Sequence, residues 1–170
     1  MVILLTLGVQ MLIGIFTNKL LIKQRRSLCM DAKTFVNSIY LGDRFCKKIV
    51  LDGYEGKVKI QVNMISRIRS SSGNWEFYND ENIEDGYIVF SDVESIYFEP
   101  QGRIPDGEIE ISNVELLKND GESSQKAKYL FEISSVSYDK TGNSEDIVIK
   151  IVAHEIYIID PRKPDERITN

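Results

Sequence analysis

The chain has 170 residues, 42% of them apolar, with 21 basic and 26 acidic side chains. That suffices for one domain with a single core, without disulfide or metal support. Two cysteines, Cys29 and Cys46, exclude a disulfide framework and lack metal-ligand spacing, and the single histidine, His154, excludes a histidine-based metal cluster.

Charge is unevenly placed along the chain. Residues 1–29 hold Lys19, Lys23, Arg25 and Arg26 and no acid; subtracting these 4 leaves 17 bases against 26 acids, a net charge of −9 over residues 30–170. The opening run "MVILLTLGVQMLIGIFT" is apolar throughout and would span about 25 Å as a helix, close to a hydrocarbon core of about 30 Å. No positive charge precedes it and four follow, which argues against a secretory signal and would hold the body on the cytoplasmic side of the inner membrane. An apolar helix over residues 2–22 is one reading, a single-pass anchor or else a buried helix. The other is that residues 1–29 are not made and translation starts at Met30. Purine-rich codons for Arg25-Arg26 would then serve as the ribosome-binding site.

From Met30 the pattern is that of a folded domain. Asp31 caps a short helix expected over 31–41, with Phe35, Val36, Ile39 and Tyr40 facing the core and Gly42 ending it. Period-two alternation follows. Cys46–Asp52 and "KVKIQVNM" form a hairpin around Gly53–Gly56, with Val58, Ile60, Val62 and Met64 on the buried side. A polar connection, Arg69–Gly86, carries the aromatic residues Trp75, Phe77 and Tyr78. Strands resume at Tyr87–Phe90, Glu94–Pro100 and Glu108–Leu117, then at Lys128–Tyr138 and Glu145–Asp160, the last two joined by a hairpin at Asp139–Ser144. Both long strands change phase midway, as strands do at a bulge or when passing between packed sheets. The expected fold is therefore mainly β: an antiparallel sandwich or open barrel of about seven strands, domain 30–160, with a polar tail at 161–170.

Few residues suggest chemistry. His154 reads as a hydrogen-bonded strand residue. No nucleophile-elbow or phosphate-loop pattern occurs, and no cofactor is expected. Asp80, Glu81, Glu84 and Asp85 crowd one turn, but their glycine falls one position late for a calcium loop and the twelfth-position glutamate is missing. Cys46, beside Lys47 and Lys48, reads either as an activated thiol or as a small buried side chain.

The passages "MDAKTFVNSIYLGDRFCKKIVLDG" and "ISRIRSSSGNWEFYNDENIEDGYIVFSDVESIYFEPQGRIP" resemble a family of short uncharacterised bacterial β-rich proteins, a domain of unknown function, from Met30 onward. Leu41-Gly42-Asp43-Arg44 and Gly73-Asn74-Trp75 are the shared passages. The resemblance covers residues 30–105 well and the rest loosely, and it implies no activity. In type, small, acidic and β-rich, the domain is similar to immunity proteins that neutralise toxins.

Three functions are expected in order. The first is a non-catalytic protein-binding domain, cytoplasmic, meeting a basic partner through Trp75, Phe77, Tyr78, Asp80, Glu81, Glu84 and Asp85. The second is a membrane-tethered accessory or sensor domain, if residues 1–29 are made. The third is an enzyme using Asp80, Glu84 or Asp85 as acid and base. Nucleic acid is not an expected partner of so acidic a body.

Overall fold

A computed structural model of the chain describes residues 31–68, 82–117 and 127–169. The helix expected over residues 2–22 lies outside them. Among the described residues there is one short helix, α1 (Ala32–Asn37), and none is long and apolar enough to cross a membrane.

Twelve strand segments make up the rest. They are β1 (Ile39–Tyr40), β2 (Cys46–Asp52), β3 (Lys57–Val62), β4 (Met64–Arg67), β5 (Ile83–Glu84), β6 (Tyr87–Ser91) and β7 (Ser95–Glu99). After these come β8 (Ile109–Leu117), β9 (Lys128–Tyr138), β10 (Ser144–Ala153), β11 (Glu155–Ile159) and β12 (Arg167–Ile168). All pairings are antiparallel, in three sheets ordered β12-β11-β6-β3-β2, β7-β10-β9-β8 and β1-β4-β5.

The two larger sheets pack face to face. Val58, Ile60, Ile88, Phe90, Ile156 and Ile158 of one meet Phe131, Ile133, Ile147, Ile149 and Ile151 of the other, and none of these is more than 7% exposed. Each such side chain withdrawn from water contributes roughly 1.5–3 kcal/mol, before the entropy of ordering the chain is counted. The sheets also join along one side. Phe45 bridges Glu108, Ile109 N–H donates to the Arg44 carbonyl at 2.9 Å, and Cys46 N–H donates to the Gly107 carbonyl at 3.1 Å. On the other side the chain passes from sheet to sheet, β6 into β7 and β10 into β11, with Glu94 N–H on the Val152 carbonyl at 2.9 Å and His154 N–H on the Ser91 carbonyl at 3.2 Å. The described strands are ordered as separate sheets of a sandwich and not as a closed barrel.

Several expectations need correction. The helix ends at Asn37, where Ser38 turns its hydroxyl back onto the Phe35 carbonyl at 2.6 Å, and Ile39 and Tyr40 pair with β4. At the start of α1 the Asp31 carboxylate does accept from the Lys33 and Thr34 N–H groups, both at 3.1 Å. "KVKIQVNM" is two strands. Asn63 breaks it by accepting the Phe45 N–H on its side-chain oxygen at 2.9 Å and the Asp85 N–H on its carbonyl at 3.0 Å, which sends Met64 into the small sheet.

The segment 145–160 is also two strands, and here the phase change marks a crossing between sheets at His154. In β9 no phase change occurs. The buried row runs on from Phe131 and Ile133 through Ser135 and Ser137, while Val136 and Tyr138 face outward. Serine is tolerated there because Ser135 donates to the Glu108 carbonyl at 2.7 Å. The irregularity sits in β8 instead, between Ile111 and Asn113. The polar tail is not free of core contacts either, since Ile168 in β12 pairs with Ile158 and packs on the core.

Candidate functional site

A groove of about 610 Å³ lies between the end of α1 with Ile39–Asp43 and the strands β8, β9 and β10. Its apolar lining includes Val36, Ile39, Val136 and Val148. Among the described residues its charged lining is acidic: Asp43, Glu108, Glu110 and Asp146.

Local structure explains how each carboxylate arrives. Leu41–Arg44 is a tight turn closed by Arg44 N–H to the Leu41 carbonyl at 3.0 Å. Within it Asp43 takes φ 55°, a left-handed conformation that aspartate tolerates better than most residues. A Cβ at Gly42 would lie 2.3 Å from the Tyr40 hydroxyl oxygen, so a side chain there would push the Tyr40 ring aside. On the facing wall, register puts Glu110, Ser134 and Val148 in one cross-strand row and Val136 with Asp146 in the next. Glu108, two residues before Glu110, points to the same face. Strand spacing separates the carboxylates of β8 from that of β10 by roughly 10 Å.

None of the four has an ion-pair partner among the described residues. Exposed aromatic rings stand beside the same edge: Phe45 opposite Glu108, and Tyr138 against Gly107. Chemically, the groove offers an apolar floor ringed by acceptors of negative charge, suited to a long cationic side chain.

Of the residues singled out by sequence, Glu84 and Asp85 are described, and neither lines the groove. Trp75, Phe77, Tyr78, Asp80 and Glu81 lie outside the described residues. Asp85 forms a 2.7 Å ion pair with Lys47, and its carbonyl accepts from the Gln61 amide at 3.0 Å. Glu84, at the end of β5, is exposed and adds to the charge that holds the Arg162 guanidinium protonated, behind the dominant effect of Asp160. The two neighbouring carboxylates therefore serve different cations and do not face each other as an acid–base pair.

Cys46 is the small buried side chain of the two alternatives. Burial, with the nearby Asp106 carboxylate adding, pushes its thiol up to about 11, so it carries little thiolate. No group of three or more potential metal ligands occurs among the described residues. Arg67, buried in β4, lies over the Phe35 ring at 5.2 Å and donates to Ser38 at 3.0 Å, tying α1 to the small sheet.

The groove carboxylates escaped the sequence reading because they come from separate segments. Glu108 and Glu110 alternate with Ile109 and Ile111, as solvent-facing residues of any half-buried strand do. Only the pairing of β8 with β9 and β10 brings them near Asp146.

Fold and groove define a mainly β, antiparallel sandwich domain with an acidic concavity. The chain belongs to a family of unknown function, DUF6258, whose model matches residues 30–170. The match begins at Met30, where the sequence resemblance also begins, and Leu41–Arg44, a passage that carries that resemblance, is the turn that presents Asp43 to the groove. No curated protein and no solved structure matches the chain.

Proposed function

We propose that the domain is a non-catalytic protein-binding module whose groove receives a basic partner, in the manner of an immunity-type inhibitor. The observation that carries this reading is the groove's charged lining, which among the described residues is four carboxylates and no cation. A net charge of −9 over residues 30–170, from 17 bases and 26 acids, would steer a basic protein toward it. The apolar floor supplies the area that charge pairs alone do not.

The cytoplasm is the proposed location, in keeping with a buried, unpaired Cys46. A second reading, a membrane-tethered accessory domain, is favoured by the apolar run at residues 1–17 and the four positive charges after it. In that case the same groove would work at the inner face of the membrane. The carboxylate-enzyme reading has less support, because Asp85 is engaged by Lys47.

The test is purification from the native cell at about 50 mM salt, below the ionic strength at which exposed charges are strongly screened. A stoichiometric basic protein that dissociates as salt is raised supports the proposal. Purification of the domain unaccompanied under those conditions overturns it.

A further inference from the structure

His154 sits where the chain crosses from the four-stranded to the five-stranded sheet, and both of its ring nitrogens face acceptors. Nδ1 is 2.9 Å from the Ala127 carbonyl oxygen and Nε2 is 3.2 Å from a Glu94 carboxylate oxygen. Carbonyl and ionised carboxylate oxygens only accept. A neutral imidazole has one N–H, so in either tautomer one ring lone pair would face an oxygen lone pair. The doubly protonated ring donates to both.

The three residues lie on three separate passages of the chain. Ala127 leads into β9, Glu94 joins β6 to β7, and His154 joins β10 to β11. Backbone bonds hold two of these passages together: Glu94 N–H to the Val152 carbonyl at 2.9 Å, and His154 N–H to the Ser91 carbonyl at 3.2 Å. The start of β9, laddered to β8 at Lys128 and to Ala153 of β10 at Tyr129, is fastened to them further by side chains, His154 on the Ala127 carbonyl and Lys128 on Glu94 at 2.8 Å. We propose that His154 is a protonation-dependent clasp, closing the start of β9 onto this corner when both ring nitrogens carry a proton.

Among the described residues the charged groups around the ring are Glu94, Lys128 and the adjacent Glu155, whose carboxylate accepts from the Ser91 hydroxyl at 3.2 Å. Lys128 holds the Glu94 carboxylate in place while the ring changes state. The histidine side chain is 20% exposed, so protons exchange with solvent without unfolding.

The full chain would be followed by ¹⁵N NMR of the ring nitrogens and by amide exchange, corrected for intrinsic rates, as pH is raised until the ring signals report the loss of one proton. Loss of the ring proton should accompany a rise of roughly 2–10-fold in opening at the Lys128 and Tyr129 amides, the worth of one hydrogen bond. His154→Gln should abolish that pH dependence. Glu94→Gln, whose amide can accept from a protonated ring or donate to a neutral one, removes the Lys128 ion pair but should flatten the dependence of opening on the ring proton. Opening that is unchanged through the ring titration, or that keeps the same pH dependence in His154→Gln, overturns the proposal.

Discussion

The Phe90 and Phe131 rings meet edge to face, centroids 5.0 Å apart and planes inclined by 63°, one from each of the two large sheets. Both are fully buried, and Tyr129 lies 6.0 Å from Phe131 on the other side. This contact is the centre of the sandwich, and it predicts the largest single loss of stability in the core. Phe131→Ala should cost about 3–5 kcal/mol, and Phe131→Leu distinctly less. Urea unfolding checks this; the midpoint should fall while the slope stays unchanged.

Gly107 marks the seam between the sheets, its carbonyl taking the Cys46 N–H. A Cβ there would be 3.0 Å from the Val136 carbonyl oxygen and 3.0 Å from the Tyr138 ring. Backbone cannot yield as a flexible side chain can. Gly107→Ala should therefore destabilise by about 1–3 kcal/mol. Gly53→Ala, with nothing within 4 Å of the added atom, should stay within about 0.5 kcal/mol of the parent.

The Cys46 thiol should resist alkylation at neutral pH in the folded domain and react once it is unfolded. Its proton is held more tightly in the folded than in the unfolded state. Its contribution to stability is therefore complete below the ordinary value of 9.0 and is lost as pH rises toward about 11. Unfolding curves of the parent and Cys46→Ala should diverge over that window by about 2–3 kcal/mol. Curves that run parallel would show the thiol to be solvated.

Asp139 organises the β9–β10 hairpin. Its carboxylate accepts from the Thr141 and Asn143 N–H groups at 2.8 and 2.9 Å and from the Thr141 hydroxyl and the Asn143 amide. These bonds, the Thr141 side chain first, hold it far below the usual carboxylate range. Its contribution is thus present above the ordinary value of 3.8 and disappears as pH falls below it. Asp139→Ala should lower the thermal midpoint at pH 7, and the difference from the parent should shrink in acid.

Period-two alternation made the strand content legible, as did the crossing at His154, where the buried parity of Ile147, Ile149 and Ile151 gives way to that of Ile156 and Ile158. The same signal misled in β9. Ser135 and Ser137 are buried polar residues, so the apolar pattern seemed to shift onto Val136 and Tyr138 although the strand stays in register with β10. The small sheet was hidden for the opposite reason. Met64 continues the alternation of Val58, Ile60 and Val62, and the break at Asn63 depends on its bonds to Phe45 and Asp85, residues distant in sequence. The groove was illegible because its carboxylates become neighbours only through cross-strand register and the turn at Asp43.

Zero-length carbodiimide cross-linking of the full chain in its native cell, with the linked peptides mapped, tests the central claim most directly. It joins a partner's lysines to carboxylates in direct contact. A partner seated in the groove gives links from Asp43, Glu108, Glu110 or Asp146 to one basic protein, and these are lost together with the complex when the four become Asn or Gln. The same partner retained at full strength by that quadruple variant, with links confined to carboxylates outside the groove, would contradict it.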